Sequence, residues 1–220
     1  MSLALYHSPF ACSLASRFAL AEADIPHEIV VVNLGGGAQH EAEYLSVNPR
    51  AKVPALATAH GVLTESTAIL PYIADLVPEK RLFPEAGTFA RAEGQSWLSF
   101  MSSSVHAAFT GVIRPERFTT NPQSTESTRA AFVERVATAF APIEAHLAGQ
   151  DYMLDEFGVC DVYLLVFLTW RGSPVIAGKL PPFAALDEFQ QRLLARPALA
   201  AAMGGDMQLM AEQSPYSKAP

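Results

Sequence analysis

Every strand-like run in this chain lies ahead of Val77-Pro78, and from Phe89 onward the periodic segments are helical. That division restricts the fold sharply, because a few early strands can form only one small sheet, and the helices after it must bury their apolar faces against one another. Leu3–His7 is short and apolar and is followed by the turn residues Ser8-Pro9, a strand and then a loop. Ser13–Ala23 is rich in Ala and Leu, with Leu14, Phe18 and Ala21 on one helical face, and Pro26 closes it. His27–Asn33 holds Ile29-Val30-Val31-Val32, whose β-branched content predicts a buried strand. Gly35-Gly36-Gly37 then breaks the chain into a flexible loop, and Glu41–Leu45 has the length of a helical turn. Val53–Ala57 and Gly61–Leu63 read as two short strands joined around His60-Gly61. Thr64–Leu76 follows as a helix with Ala68, Ile69, Tyr72 and Ile73 inward. The order β-α-β, a crossing, then β-β-α fits a small mixed sheet with helices against it, an α/β domain over residues 1–79.

Residues 80–87, punctuated by Pro84 and Gly87, form the linker. An all-α domain is expected over 88–205. It starts with one long helix, Phe89–Ile113, whose inner positions include Trp97, Met101, Val105, Phe109 and Ile113. A polar loop, Thr119–Thr128, leads to Arg129–Leu147, which Gly149 ends. Asp161–Trp170, Phe183–Ala195 and Pro197–Met203 complete the bundle, and residues 206–220 are expected to be a surface tail.

Composition narrows the function classes. No apolar run reaches the roughly 18 positions of a membrane span, since Asp161 interrupts Val159–Trp170. The N-terminus lacks a basic start followed by an apolar core, so no signal peptide is expected. With only Cys12 and Cys160 there is no disulfide framework, which points to a reducing cytoplasm. A net charge of −7 without a Lys/Arg cluster argues against nucleic acid as a partner.

Three features carry chemistry. Cys12 stands at the join of a strand and a helix, where the helix dipole and unpaired N–H groups favour a thiolate; the alternative is a small buried apolar residue. No second Cys stands near enough for a dithiol couple, and Cys160 opens an apolar helix as a structural residue. Val53-Pro54 is either a cis peptide that exposes the Val53 backbone to an extended peptide ligand, or a trans proline starting an edge strand. Glu65-Ser66 opens a helix, where a hydroxyl and free N–H groups suit a carboxylate and Glu65 suits an ammonium; simple capping is the rival reading.

Taken in order, Tyr6–Ser13, Asn48-Pro49, Val53-Pro54-Ala55-Leu56, Glu65-Ser66 and Ile69–Tyr72-Ile73 strongly resemble the glutathione transferases. A Cys after Ser-Pro-x-Ala is similar to the bacterial beta class in particular. Phe157–Tyr163, His106 and Arg196-Pro197 extend the resemblance over nearly the whole chain. It implies a thioredoxin-like N-terminal domain that binds glutathione as co-substrate, and an all-helical C-terminal domain that forms the second-substrate site. It also implies a homodimer and no metal. Position by position, it implies that Cys12 lies beside the glutathione sulfur and that Val53 with Pro54 pairs with the cysteinyl backbone. Glu65 and Ser66 would hold the γ-glutamyl end, with Tyr6 and Lys52 in the same site, and His106 would approach the thiol. Phe10, Met101, Val105, Phe109 and Ile113, with Phe118, are the candidate pocket wall for a small apolar electrophile.

This chain departs from the family pattern in three places. Gly158 stands where Ser or Thr usually caps the buried helix, so one bond of the capping box is lost. The glycine run replaces a basic residue that meets the glycyl carboxylate, leaving His40, Arg50 or Lys52 as substitutes. Phe10 stands where a small residue is common, which closes the rim near Cys12. The function expected is thiolate-based conjugation of glutathione. The alternatives are a reductase or isomerase that uses Cys12 covalently, and a non-catalytic ligand-binding homologue.

Overall fold

The structure is a computed structural model that describes residues 3–213. It divides into two compact units, residues up to Phe83 with those from Leu194 onward, and Pro84–Leu193.

The first unit is built on a four-stranded mixed sheet of order β2-β1-β3-β4, from β1 (Leu3–His7), β2 (His27–Val31), β3 (Ala55–Thr58) and β4 (Gly61–Thr64). β1 pairs parallel with β2, with Leu5 opposite Ile29, and antiparallel with β3, with Leu5 opposite Leu56. β4 returns antiparallel on β3 through Leu56 and Leu63. Leu3, Leu5 and His7 point inward from β1, the alternation of a strand with one face on a core. The helices are α1 (Leu14–Ala23), the short α2 (Ala42–Val47) and α3 (Ser66–Asp75). α1 packs on α3, and Leu14, Phe18, Leu20, Ile69, Leu70 and Ile73 are fully buried. β2 corrects the buried strand expected from its valines: it is an edge strand, and Val31 is 39% exposed. A run of β-branched residues states strand propensity, not position in the sheet. The glycine run is a hydrogen-bonded turn, closed by the Gly36 N–H on Asn33 Oδ1 at 2.9 Å.

In the second unit, α4 (Phe89–Phe100) and α5 (Ala107–Ile113) are joined by a π-helical turn, Met101–His106. The single long helix expected from sequence therefore carries a change of pitch. Gly94, Leu98, Met101, Val105, Ala108, Phe109 and Val112 face inward, while Ile113 is turned out, 40% exposed. α6 runs Thr125–Leu147, so the polar loop expected up to Thr128 is partly its first turn. α7 (Val159–Trp170) is buried from Val159 through Leu168. Asp161 stabilises its start by accepting the Gly158 N–H at 2.6 Å and the Met153 N–H at 2.8 Å. Glycine supplies no side chain for the reciprocal bond, as expected. α8 is Ala184–Leu194. α5 packs closely on α6: a Cβ on Gly111 would lie 2.2 Å from ring atoms of Phe132. Gly111→Ala is expected to cost about 1–3 kcal/mol by forcing that ring aside, which thermal or denaturant unfolding measures.

The last helix, α9 (Pro197–Gln213), corrects the tail placed over 206–220 and the bundle boundary at 205. It groups with the first unit, not with the helical one, and packs on α1. Leu199, Ala202, Met203 and Asp206 are its buried positions, spaced i, i+3, i+4, i+7 as a docked helix requires. The periodicity continues past Gly204-Gly205, but its fourth position is an aspartate, which hides it from a reading by apolar residues. Arg196 ties the start of α9 to α1 through a bidentate pair with Glu22, both bonds 2.8 Å. Residues 214–220 lie outside the described residues. Among the described residues, no helix is long and apolar enough to cross a membrane.

Candidate functional site

Residues 8–13 link the inner strand β1 to α1 and carry Cys12. Ser13, at the N-cap of α1, does not cap it. Its hydroxyl accepts the Ser8 N–H at 3.2 Å and lies 2.8 Å from His7 Nδ1, closing the loop on itself. Backbone bonds from Leu14 N–H to Ala11 and from Ala15 N–H to Cys12 tighten the entry to the helix. Cys12 is partly exposed as a residue, with its thiol turned onto the Val53 carbonyl, to which it donates at 3.2 Å.

That geometry changes the expected charge of Cys12. Burial pushes the thiol up to about 12. The N–H groups of Cys12 and Ser13 and the charge of Lys52 pull the other way, and Glu65 adds to the rise. The thiolate anticipated from the helix terminus is thus outweighed by desolvation, and the protonated form prevails at neutral pH. A folded pKa above the unfolded value means that the folded state holds the proton more tightly. Its stabilising contribution is full below pH 9.0 and is lost as pH rises toward about 12. Tyr44, raised by burial to about 12, adds to the same alkaline loss, as does buried Cys160, whose thiol is raised by burial in the second unit. Unfolding free energy should fall with pH above about 9, and less so in Cys12→Ala; denaturant titrations across that range check it.

Val53 is held by a tightly bonded loop. Lys52 carbonyl accepts from Tyr44 Oη at 2.5 Å and from Asn48 Nδ2 at 2.7 Å, while Asn48 Oδ1 accepts the Arg50 N–H at 3.1 Å. The Val53–Pro54 peptide bond is cis, the first of the two forms open from sequence. Tyr6 packs its ring on Tyr44, centroids 5.7 Å apart. Lys52 and Glu65 are exposed, and both act on the Cys12 thiol through their charge. Arg50, one of the three candidates for the glycyl carboxylate, donates to Thr64 Oγ1 at 2.8 Å, while His40 is exposed.

Ser66 is buried at the first position of α3, after Glu65 at its N-cap. The first N–H groups of a helix have no intrahelical acceptor, so this end combines a hydroxyl, open donors and a dipole suited to a carboxylate. Glu65 itself has φ 69°. Phe10 and Ala51 share such left-handed backbone, both φ 54°, a conformation that costs a non-glycine residue about 1–2 kcal/mol. Among the described residues, three of the five non-glycine residues with positive φ thus stand within two positions of Cys12, Val53 or Ser66, and strain of this kind gathers at functional sites.

The first unit therefore brings together Tyr6, Phe10, Cys12, Lys52, Val53, Pro54, Glu65 and Ser66. The remaining candidates belong to the second unit. His106 ends the π turn, its ring 5.3 Å from Trp170 and 5.8 Å from Phe167. Met101, Val105 and Phe109 are fully buried, with Phe109 stacked on Phe167 and edge-on to Phe140 and Trp170. They pack in the core of the second unit, whereas Ile113 and Phe118 are exposed, at 40% and 50%. Sequence reasoning missed Tyr44, His7 and Asp206. His7 was legible as a polar residue on the inward register of β1, whereas Asp206 is 199 positions away in the chain from its partner.

The family model described as glutathione S-transferase, N-terminal domain, matches residues 1–75. A glutathione S-transferase of Xanthomonas campestris pv. campestris is 30% identical over 200 residues, 90% of this chain and 96% of that protein. Among solved structures, a glutathione transferase homologue from Sulfitobacter with bound glutathione superposes with a TM-score of 0.84 at 28% identity, covering 94% of this chain and 99% of that one. A bacterial beta class glutathione S-transferase of Sphingomonas chungbukensis gives a TM-score of 0.80 at 33% identity, covering 92% and 98%.

Proposed function

This chain belongs to the glutathione S-transferase family, and from that premise we propose that it conjugates glutathione to a small apolar electrophile, with Cys12 acting as a hydrogen-bond donor rather than as the nucleophile. The observation that supports this choice is the neutral Cys12 thiol resting on the Val53 carbonyl. In the proposed complex the γ-glutamyl carboxylate meets Ser66 and the start of α3, and its ammonium meets Glu65. The cysteinyl backbone pairs with Val53, with Tyr6, Pro54 and Lys52 around it. A ligand N–H directed at the Val53 carbonyl competes with the Cys12 thiol, whose S–H turns to the glutathione sulfur. Donation to that sulfur favours its thiolate, the nucleophile that attacks the electrophile. His106 and a homodimer enter the proposal from the family resemblance, and a cytoplasmic location from the cysteine usage.

A disulfide-exchange enzyme working through Cys12 needs the thiolate that burial opposes. Cys12→Ser keeps a donor, while Cys12→Ala removes it. Followed by the ultraviolet absorbance of bound glutathione thiolate, the alanine variant should raise the ligand's thiol pKa by about one unit, equivalent to ~1.4 kcal/mol. The serine variant should stay close to wild type and keep forming conjugate. Loss of all turnover in Cys12→Ser, with glutathione regenerated by the wild type, would instead favour covalent chemistry at Cys12.

A further inference from the structure

The β1–α1 loop holds a buried polar cluster that the proposed chemistry does not use. Asp206 of α9 is completely buried, and its carboxylate reaches three segments of the first unit. Oδ1 accepts from Nε2 of the equally buried His7 on β1 at 3.0 Å and from Arg17 Nη1 on α1 at 2.5 Å. Oδ2 accepts the Phe10 backbone N–H at 2.8 Å. His7 continues the chain of contacts to the Ser13 hydroxyl, beside Cys12. Gly205 gives Arg17 its room, since a Cβ there would lie 2.1 Å from Nη2.

We infer that Asp206 is a positioning residue, which holds Phe10 in left-handed backbone and so fixes the Cys12 thiol against the Val53 carbonyl. The physical reason is a local conflict. Phe10 at φ 54° favours relaxation to ordinary backbone, and relaxation would break its bond to a buried carboxylate, a strong charge-assisted contact. Cys12 lies two residues on, so the loop can present the thiol to Val53 only while that bond lasts. The charged or titratable groups facing Asp206 are His7 and Arg17; those acting on Cys12 are Glu65, Lys52 and Tyr44. The functional meaning rests on the reading of Cys12 as part of the glutathione site, but the test needs no glutathione.

Asp206→Asn keeps the shape and withdraws one acceptor. With the amide oxygen retained by Arg17, the amide nitrogen faces the Phe10 N–H, donor against donor. The measurement is iodoacetamide alkylation of Cys12 across pH, with Cys160 accounted for by Cys12→Ala and folding verified by thermal unfolding. Release of the loop hydrates the thiol and lowers its titration midpoint. Asp206→Asn should then alkylate about tenfold faster near pH 8 for each unit of lowering. In a Phe10→Gly background the increase should shrink severalfold, because glycine enters positive φ without the clamp. If Asp206→Asn does not fold, Gly205→Ala, which displaces Arg17 from the carboxylate, should raise the rate in the same direction. A lower melting temperature with an unchanged pH profile would overturn the inference, as would equal increases with Phe10 and with glycine at position 10.

Discussion

Asp161→Ala is expected to be the most destabilising substitution considered, by about 3–5 kcal/mol, with the melting temperature and the denaturant midpoint falling together. The carboxylate is 1% exposed and accepts two backbone N–H groups, from Gly158 and Met153. Hydrogen bonds to charged acceptors contribute about 1.5–3 kcal/mol each, and alanine would leave both donors buried without the acceptor they now have. The loss falls on the start of α7, the helix buried from Val159 to Leu168. Because Gly158 contributes no side-chain bond to this end of the helix, no reciprocal contact offsets the loss. Asp161→Asn keeps one acceptor and should cost less. A change below about 1 kcal/mol for the alanine variant would mean that the helix start is secured by packing alone.

Ser66→Ala is expected to weaken glutathione binding by about 10- to 100-fold while leaving the melting temperature nearly unchanged. The hydroxyl sits at the first position of α3, 7% exposed. In the proposed complex it donates to the γ-glutamyl carboxylate, a charge-assisted bond whose loss costs about 1.5–3 kcal/mol. α3 keeps its packing through Ile69, Leu70 and Ile73, all fully buried, so folding should not register the change. Binding calorimetry separates the two effects. Unaltered affinity in Ser66→Ala would move the γ-glutamyl end away from this helix.

Much of the first unit was legible because its signals are local. β1 begins and ends where its short apolar run and Ser8-Pro9 place it, while α3 starts at Ser66, two residues after the Thr64 expected, which closes β4 instead. The motif order around Cys12, Val53 and Ser66 led to the family. What stayed hidden depends on distant partners. Helical spacing marks Met101, Val105 and Phe109 as inward, and they are buried, but spacing alone does not tell a packed core from a ligand wall. The π turn shifts the inner face between Met101 and Ala107, so Ile113 left the stripe to which regular spacing assigns it. The protonation of Cys12 turned on burial, and its thiol rests on the Val53 carbonyl; its neighbours in sequence express neither. Asp206 looked like the polar start of a tail, although it occupies an inward position of α9 against His7 and Arg17.

The most direct test of the account is calorimetric titration of the full chain with glutathione. Saturable one-site binding, in the micromolar to millimolar range or about −8 to −4 kcal/mol, is the result expected of a first unit arranged to hold that tripeptide. No binding heat at millimolar ligand, in a chain shown to be folded, would contradict it.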